Sequence, residues 1–373
     1  MAREAGLTED SSWDAMVARA TDGGARERER EAAMDVIARD GAMVTAAMAS
    51  RAIEALARRL ARGAERAEET RAAALDAMSA AFQGGAEDAS WSVREDAVLR
   101  DVIQALDACA REHCAKVAVS ALRAASAASA RVDDRSIVTE IIEGVLAPGL
   151  IHRSAKVRRT ALSAIGEIAR TRYDRRDLVF ALTGGYSQVI HTRRMNYFGA
   201  LACDPSAPVR EEFVKLCGTF LQDDEESTSV AHAPRVLPYV LSALHDEITE
   251  VRIVAEEIAK NVPHFEELVC RNLGDMLLPA ISELKSSIES GWREDIVLRA
   301  LQLIETMISC AQARSTQFIP NVCDILRDVL SSDATNIRAV DQKIKQILKI
   351  VVEACPESSE YVSARFNDLN NKC

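Results

Sequence analysis

The sequence is poor in the residues that all-β folds need. Aromatic residues make up only 4% of the 373 positions, and there are just 16 glycines and 9 prolines. So few turn formers argue against a fold built from many short strands. Hydrophobic residues reach 48% and are mostly alanine, leucine, isoleucine and valine. Small aliphatic side chains suit closely packed helices, and the length allows two ordinary domains or one elongated array.

Several targeting and binding signals are missing as well. The net charge of −11 opposes general nucleic-acid binding, which needs a basic surface. No run of 18 apolar residues occurs, so the sequence predicts no transmembrane helix and no membrane partner. The beginning, "MAREAGLTEDSSWDAM", lacks the apolar core of a signal peptide. We therefore expect a cytoplasmic protein, with a nuclear one as the alternative.

No constellation typical of catalysis is present. The nine cysteines form no Cys-x-x-Cys pair, and none of the six histidines has a second histidine at metal-binding spacing. A G-x-S-x-G elbow and a phosphate loop are both missing. The sequence predicts neither catalytic, metal nor cofactor sites, and it indicates that the cysteines are buried small hydrophobes in a reducing compartment.

A helix–turn–helix unit is legible near residue 250. Val251, Val254, Ala255 and Ile258 recur at helical spacing and form one apolar stripe. A similar stripe begins at Leu237, and "HDEIT" separates the two. Neither helix can bury its stripe alone, so copies of the unit must stack.

The unit recurs at a regular interval. Pro238, Pro279 and Pro320 are 41 residues apart, and we expect each to begin a first helix. Pairs of the Val-Arg type mark the second helices and include Val157-Arg158, Val209-Arg210, Val251-Arg252 and Ile337-Arg338. An interval of about 40–47 residues is that of HEAT and armadillo repeats. The predicted fold is therefore an all-α solenoid.

The domain organisation follows from the clarity of this repeat. We predict a disordered terminus over 1–25, degenerate Ala-rich helical repeats over 26–150, regular repeats over 151–355 and a tail over 356–373. The polar stretch 221–234 is predicted to be a solvated loop. Together the repeats should form one continuous solenoid.

The stretch "LPYVLSALHDEITEVRIVAEEIA" resembles the two-helix consensus of the HEAT-repeat family. In that family an aspartate in the turn and an arginine early in the second helix often bond across neighbouring repeats. The resemblance implies a structural ladder at the matching positions, which are Asp204, Arg210, Asp246, Arg252, Asp333 and Arg338.

Two features are candidates for partner binding. Between Arg153 and Arg194 lie ten basic and three acidic residues, and this basic zone could dock an acidic partner. Its candidate contact residues are Arg153, Arg158, Arg172, Arg175 and Arg176. Trp91 and Trp292 precede predicted helices, where they could anchor a partner or pack beneath a turn. "SWSVREDAV", around Trp91, loosely resembles the tubulin-binding motif of TOG domains, which are also HEAT arrays.

Three stretches resemble the HEAT-repeat dynein axonemal assembly factor family, in the same order. They are "SAKVRRTALSAIGEI" at 154–168, "VLPYVLSALHDEITEVR" at 236–252 and "ELVCRNLGDMLLPAISEL" at 267–284. The resemblance covers about 150–350, and members of that family are considerably longer.

This resemblance implies a non-catalytic cytoplasmic scaffold for preassembly of axonemal dynein arms. Its partners would be dynein chains, the intermediate chain among them, and chaperone-linked assembly factors; no cofactor is implied. Alternatives are a TOG-like tubulin-binding module or another regulatory or adaptor HEAT scaffold.

Overall fold

Helices form nearly all of the chain that the structure describes. The computed structural model describes residues 9–63, 65–84, 96–171, 174–187, 192–222, 226–289, 294–331 and 338–370. The predicted all-α solenoid class is confirmed, since the helices follow one another as stacked pairs. The chain divides into two compact units, Met1–Leu216 and Cys217–Cys373.

The first unit begins with the helices α1 (Glu9–Thr21), α2 (Glu27–Asp40), α3 (Ala46–Ala61), α4 (Glu68–Gln83), α5 (Asp96–Ala110) and α6 (Ala115–Ser129). It continues with α7 (Arg135–Glu140), a π-helical turn (Ile141–Leu146), α8 (Ala147–Gly149), α9 (Ala155–Thr171), α10 (Arg175–Leu182) and α11 (Tyr197–Ala202). The division between the units falls within α12 (Ala207–Leu221).

The second unit contains α13 (Glu226–Ala243), α14 (Thr249–Asn261), α15 (Phe265–Arg271), α16 (Leu273–Glu289), α17 (Glu294–Ala311), α18 (Ile319–Ser331), α19 (Arg338–Ala354) and α20 (Ser359–Asn370). Its core lies along the apolar stripes of these helices. In α19, for example, Val340, Ile344, Ile347 and Val351 recur at helical spacing and are all buried.

The pairs repeat on the interval that the sequence indicates. The second helices α2, α4, α6, α9, α12, α14, α17 and α19 begin 40 to 52 residues apart. In the first unit α2 packs on α4, α4 on α6 and α6 on α9. Among the first helices, α1 packs on α3 and α3 on α5. In the second unit α16 packs on α18, and α17 on α19. Stacking of like helices on like buries the stripe that a lone pair would expose.

One short antiparallel strand pair interrupts the helices. β1 (Gly185–Ser187) pairs with β2 (Thr192–Arg194), with Tyr186 opposite Arg193. The sequence predicts no strand here. Gly184, with a φ of 101°, ends the helical segment because only glycine adopts that backbone conformation without strain.

The predicted disorder over 1–25 is wrong for residues 9–21, which form α1. The Trp13 indole N–H donates a hydrogen bond of 3.0 Å to the carbonyl of Met48 in α3. Trp13, Val17 and Ala20 are buried at i, i+4 and i+7. These three side chains stand among charged neighbours, so the apolar stripe is narrow and easily missed. Residues 1–8 lie outside the described residues.

The predicted loop over 221–234 is wrong where the structure describes it from Glu226, because α13 starts there. The His232 ring is fully buried and its Nε2–H donates to the carbonyl of Phe220, at 2.8 Å. Ala233 is buried beside it. Burial of this polar-looking segment overrides its loop-like composition.

The three prolines do not all begin helices. Pro320 is the second residue of α18, as predicted. Pro238 lies inside α13 and Pro279 inside α16, so each removes one backbone donor from a helix interior. The 41-residue spacing is therefore a property of the repeat, whereas the position of each proline relative to the helix start varies.

One helical stretch of the described chain, Ile296–Ser331, is apolar and long enough to cross a membrane by length and composition. A 3-10 segment, Gln312–Phe318, interrupts it, and Gln312 has a positive φ of 49°. Leu301, Ile304 and Ile308 of α17 are fully buried in the second unit. These are properties of a core helix in a stacked repeat.

Buried ion pairs join successive repeats of the first unit. The Arg158 guanidinium donates two hydrogen bonds to the Asp204 carboxylate, at 2.6 and 2.7 Å, across 46 residues. Nearer the N-terminus, Glu65 is 5% exposed and accepts hydrogen bonds from both Arg30 and Arg59. Each pair compensates charges that packing has removed from water.

Replacing Asp204 by alanine should lower the free energy of unfolding by about 3–5 kcal/mol, because it leaves the buried Arg158 guanidinium without its carboxylate. Urea denaturation followed by circular dichroism measures this. The matched control is Asp107→Ala, which breaks the exposed Arg111–Asp107 pair and should change stability by less than about 0.5 kcal/mol. Equal losses in the two variants would contradict the structural role of Asp204.

A second polar cluster lies where the turn after α13 meets α17, and its histidine is only partly shielded from solvent. The imidazole Nε2 of His245 is 2.7 Å from the Thr306 hydroxyl, and Glu305 next to it pairs with Lys343 of α19 at 2.6 Å. Partial burial lowers the pKa of His245; the charge of Glu305 raises it, and that of Lys343 lowers it. The folded chain thus binds a proton at His245 more weakly than the unfolded chain does.

Stability should therefore fall as the pH drops from about 7.5 to about 5.5, through the ordinary histidine pKa near 6.5. The contribution of His245 is fully present above that range and is lost below it. Denaturation at several pH values measures the trend. His245→Asn removes the titrating group and should flatten it; an unchanged pH dependence in this variant would exclude His245 as the cause.

Candidate partner-binding groove

The candidate contact residues of the basic zone differ in burial and in hydrogen-bond partners. Arg158 is 9% exposed and committed to Asp204, so it is wrong as a partner-contact residue. Arg153 is exposed, and its guanidinium donates to the carbonyl of His113, 2.8 Å away. Arg172 lies outside the described residues. The charge cluster of the sequence is therefore not one surface.

Two further arginines stand at the beginning of α10. Asp174 caps this helix by accepting from the backbone N–H of Arg176, at 2.9 Å. Arg175 donates to the carbonyl of Ala169 at 3.1 Å, and the Arg176 guanidinium lies 5.7 Å from the ring centre of Phe180. Arg176 thus contacts its own helix, and Arg175 contacts the last turn of α9.

One tie of the kind that the HEAT resemblance implies joins neighbouring repeats: the carboxylate of Asp204, in a turn, accepts from Arg158, early in the second helix α9. Arg210 donates to the backbone carbonyl of Asp204 in its own turn, at 2.8 Å, and Arg252 does the same to Asp246, at 2.6 Å. Arg338 begins α19, and Asp333 lies outside the described residues, as do Trp91 and Trp292.

A groove of about 900 Å³ crosses the second helices of the first unit. Its walls come from α4, α6 and α9, with one side chain, Glu212, from α12. The charged lining residues are Arg123, Arg131, Lys156, Arg159, Glu167 and Glu212. The hydroxyl-bearing ones are Ser79, Ser126, Thr160 and Ser163. Stacking of like helices places these four sets of side chains side by side.

The groove is cationic although the chain is acidic. Arg123 and Lys156 are exposed and form no ion pair with any described residue. Arg159 is 3.8 Å from Glu212, a long contact for an ion pair. The carboxylate of Glu167 is bonded to Arg170 at 2.8 Å. Positive charge is therefore available to a bound group.

Arg131 has a positioning role at one end of the groove. Its Nε–H donates to the carbonyl of Phe82 at 2.8 Å, and its terminal nitrogen donates to the carbonyl of Gly84 at 3.3 Å. These carbonyls close the C-terminal end of α4. Arg131 thus fixes α4 against α6 while its charge remains in the groove.

Sequence reasoning found Lys156 and Arg159 within the basic zone but missed Arg123 and Arg131. In α6 most side chains are small and buried, and Arg123 is the one charged residue after the first turn. The sequence signal that could have identified Arg123 is a single arginine in the middle of an otherwise apolar, Ala-rich helix. That it faces the same groove as Lys156 depends on how α6 packs on α9.

The described residues contain no cluster of three histidine, cysteine or acidic side chains that could hold a metal. Burial raises the pKa of Cys109 to about 12 and that of Cys323 to about 11. These thiols stay protonated at neutral pH and are poor nucleophiles.

The stacked pairs and the solvent-facing groove define this chain as an α-helical repeat protein. Residues 14–267 match the family described as dynein axonemal assembly factor 5-like, TPR repeats, and the chain belongs to that family. The predicted relationship is thereby confirmed. The match includes the N-terminal half, where the resemblance could not be traced, and ends at residue 267. The helix interval of 40 to 52 residues is longer than the 34 of a TPR unit and closer to that of HEAT repeats.

No curated protein matches the sequence. Among solved structures, an engineered protein is 17% identical with a TM-score of 0.44, over 67% of this chain and 98% of that chain. A designed armadillo repeat protein in complex with the peptide (KR)4 is also 17% identical with a TM-score of 0.44, over 66% of this chain and 97% of that chain.

The two arginines of the groove should differ in their effect on stability. Arg131→Met keeps the aliphatic stem but removes the donors to the α4 carbonyls, and we expect a loss of about 1–2 kcal/mol in the free energy of unfolding. Arg123→Met removes no internal hydrogen bond and should change it by less than about 0.5 kcal/mol. Urea denaturation of both variants measures the difference; similar values would refute the positioning role of Arg131.

Proposed function

We propose that the protein is a non-catalytic scaffold that acts in the cytoplasm during preassembly of axonemal dynein arms, and so in cilium assembly. The observation that carries this proposal is the family match over residues 14–267. That range contains every helix that lines the groove. Its partners are dynein chains, the intermediate chain among them, together with chaperone-linked assembly factors.

The chemistry of the described residues supports holding rather than reacting. Among the charged side chains with partners, Arg158–Asp204 and Lys343–Glu305 tie neighbouring repeats together. The groove offers unpaired cations and hydroxyl groups on a stack of rigid helices. Such a surface can orient a protein segment without changing its covalent structure.

Affinity capture of the tagged full chain from a cell that builds motile cilia tests this proposal. Dynein heavy and intermediate chains, with chaperones, should be recovered from the cytoplasmic fraction, as quantified by mass spectrometry. The Asp204→Ala chain serves as the matched control, because its loosened repeats should recover less of the same chains.

Two results would refute the assembly function. One is recovery of tubulin alone, which would favour the TOG-like alternative. The other is capture of dynein chains from isolated axonemes but not from cytoplasm, since preassembly precedes entry into the cilium.

A further inference from the structure

The groove across α4, α6 and α9 has a chemistry that selects one kind of occupant. We infer that it binds an extended, acidic segment of a partner protein. This inference rests on the proposed scaffold function and deepens it, because it names the form and charge of the segment that is held.

The charge of the occupant follows from the unpaired cations. Arg123 on α6 and Lys156 on α9 face one cavity. Of the acids in its lining, Glu167 is paired with Arg170, and Glu212 lies 3.8 Å from Arg159. Bringing such cations together costs electrostatic energy that carboxylates of a ligand can offset. The net charge of −11 makes this surface stand out from the rest of the chain.

The extended form follows from the hydroxyl groups. The side chains of Ser79, Ser126 and Ser163 have no hydrogen-bond partner in the part of the chain that the structure describes. Thr160 donates to its own helix at 2.9 Å and retains an acceptor oxygen. An extended segment presents unpaired N–H and C=O groups that can bond to them, whereas the backbone of a helix is already bonded to itself.

The apolar lining argues against an amphipathic helix as the occupant. Phe82 is 1% exposed, and Ala164 and Ile168 are each 5% exposed. These three side chains therefore offer little surface to the hydrophobic face of a helix. Charge and hydrogen bonding therefore supply the specificity of the proposed binding.

The width of the groove sets the length of the segment. Packed helices lie about 8–10 Å apart, so three of them span about 16–20 Å between the outer axes. An extended chain advances about 3.3 Å per residue, which corresponds to about five or six residues. The occupant is a short acidic stretch within a longer partner.

Fluorescence anisotropy with the full chain and a labelled peptide tests the inference. The probe is a peptide of about eight residues that alternates glutamate and serine. It should bind more weakly as salt is raised, because exposed charges are screened. A peptide of equal length that alternates lysine and serine should not bind.

The decisive variant is Arg123→Glu with Lys156→Glu, which reverses both unpaired cations. We expect the Kd for the acidic peptide to rise at least about tenfold. The matched control is Arg62→Glu with Lys285→Glu, which changes the net charge equally at exposed positions outside the groove and should leave the Kd unchanged. If the reversal unfolds the chain, Arg123→Gln with Lys156→Gln replaces it, with a smaller expected loss of about threefold.

A separate variant tests the role of the serine hydroxyl groups in peptide binding. Ser126→Ala with Ser163→Ala should weaken the peptide about threefold without altering its salt dependence. No change would overturn the extended form, as would equal binding of a helix-locked peptide with the same number of glutamates.

Three outcomes overturn the inference as a whole: no binding by the native chain, an equal loss in the control variant, or equally tight binding of a single-stranded oligonucleotide of the same length. None of them decides the assembly function, because dynein capture by the native chain is measured separately. Failed capture together with peptide binding confined to the groove would instead refute the assembly function and retain the acidic-segment site.

Discussion

The structure depends on one constraint: a single helix pair cannot bury its own apolar stripe. In α9 the residues Val157, Ala161, Ile165 and Ile168 form a buried stripe at helical spacing, and α9 packs against α6, α8 and the π-helical turn. The period of 40 to 52 residues is the length of chain needed to leave one second helix and return as the next. Everything else, the groove included, follows from that stacking.

Stacking also creates the need for the buried ion pairs. When one repeat covers the turn of the previous one, the polar groups of that turn lose water. The Asp204 carboxylate accepts hydrogen bonds from Arg158, and its backbone carbonyl accepts one from Arg210. The Glu65 carboxylate accepts hydrogen bonds from two arginines. These residues fix the register between repeats, and a fixed register keeps Arg123 and Lys156 beside each other. Asp204 and Glu65 thereby help to determine the geometry of the groove although neither lines it.

Much of the architecture was readable from the sequence because it rests on local periodicity. The stripe around Val251 and the recurrence of the unit predicted helix pairs, their class and their interval. The family match covers two of the three quoted stretches, 154–168 and 236–252, and ends where the third begins. The errors share a cause. Trp13 and His232 are isolated buried side chains in polar surroundings, and composition over a window cannot show that one ring is enclosed by residues distant in sequence.

The sequence by itself determined how many basic residues this part of the chain has. The tertiary structure decided which of them line the groove. The sequence placed ten basic residues between Arg153 and Arg194, and that count alone suggested a single docking zone. In the folded chain Arg158 is paired with the buried carboxylate of Asp204, whereas Lys156 is exposed to solvent. Arg123, from another repeat, lines the same groove as Lys156. Helical spacing within one segment decides which residues share a face, and the sequence contains it. Contacts between residues 40 or more positions apart decide which helix faces meet. Those contacts are visible only in the tertiary structure.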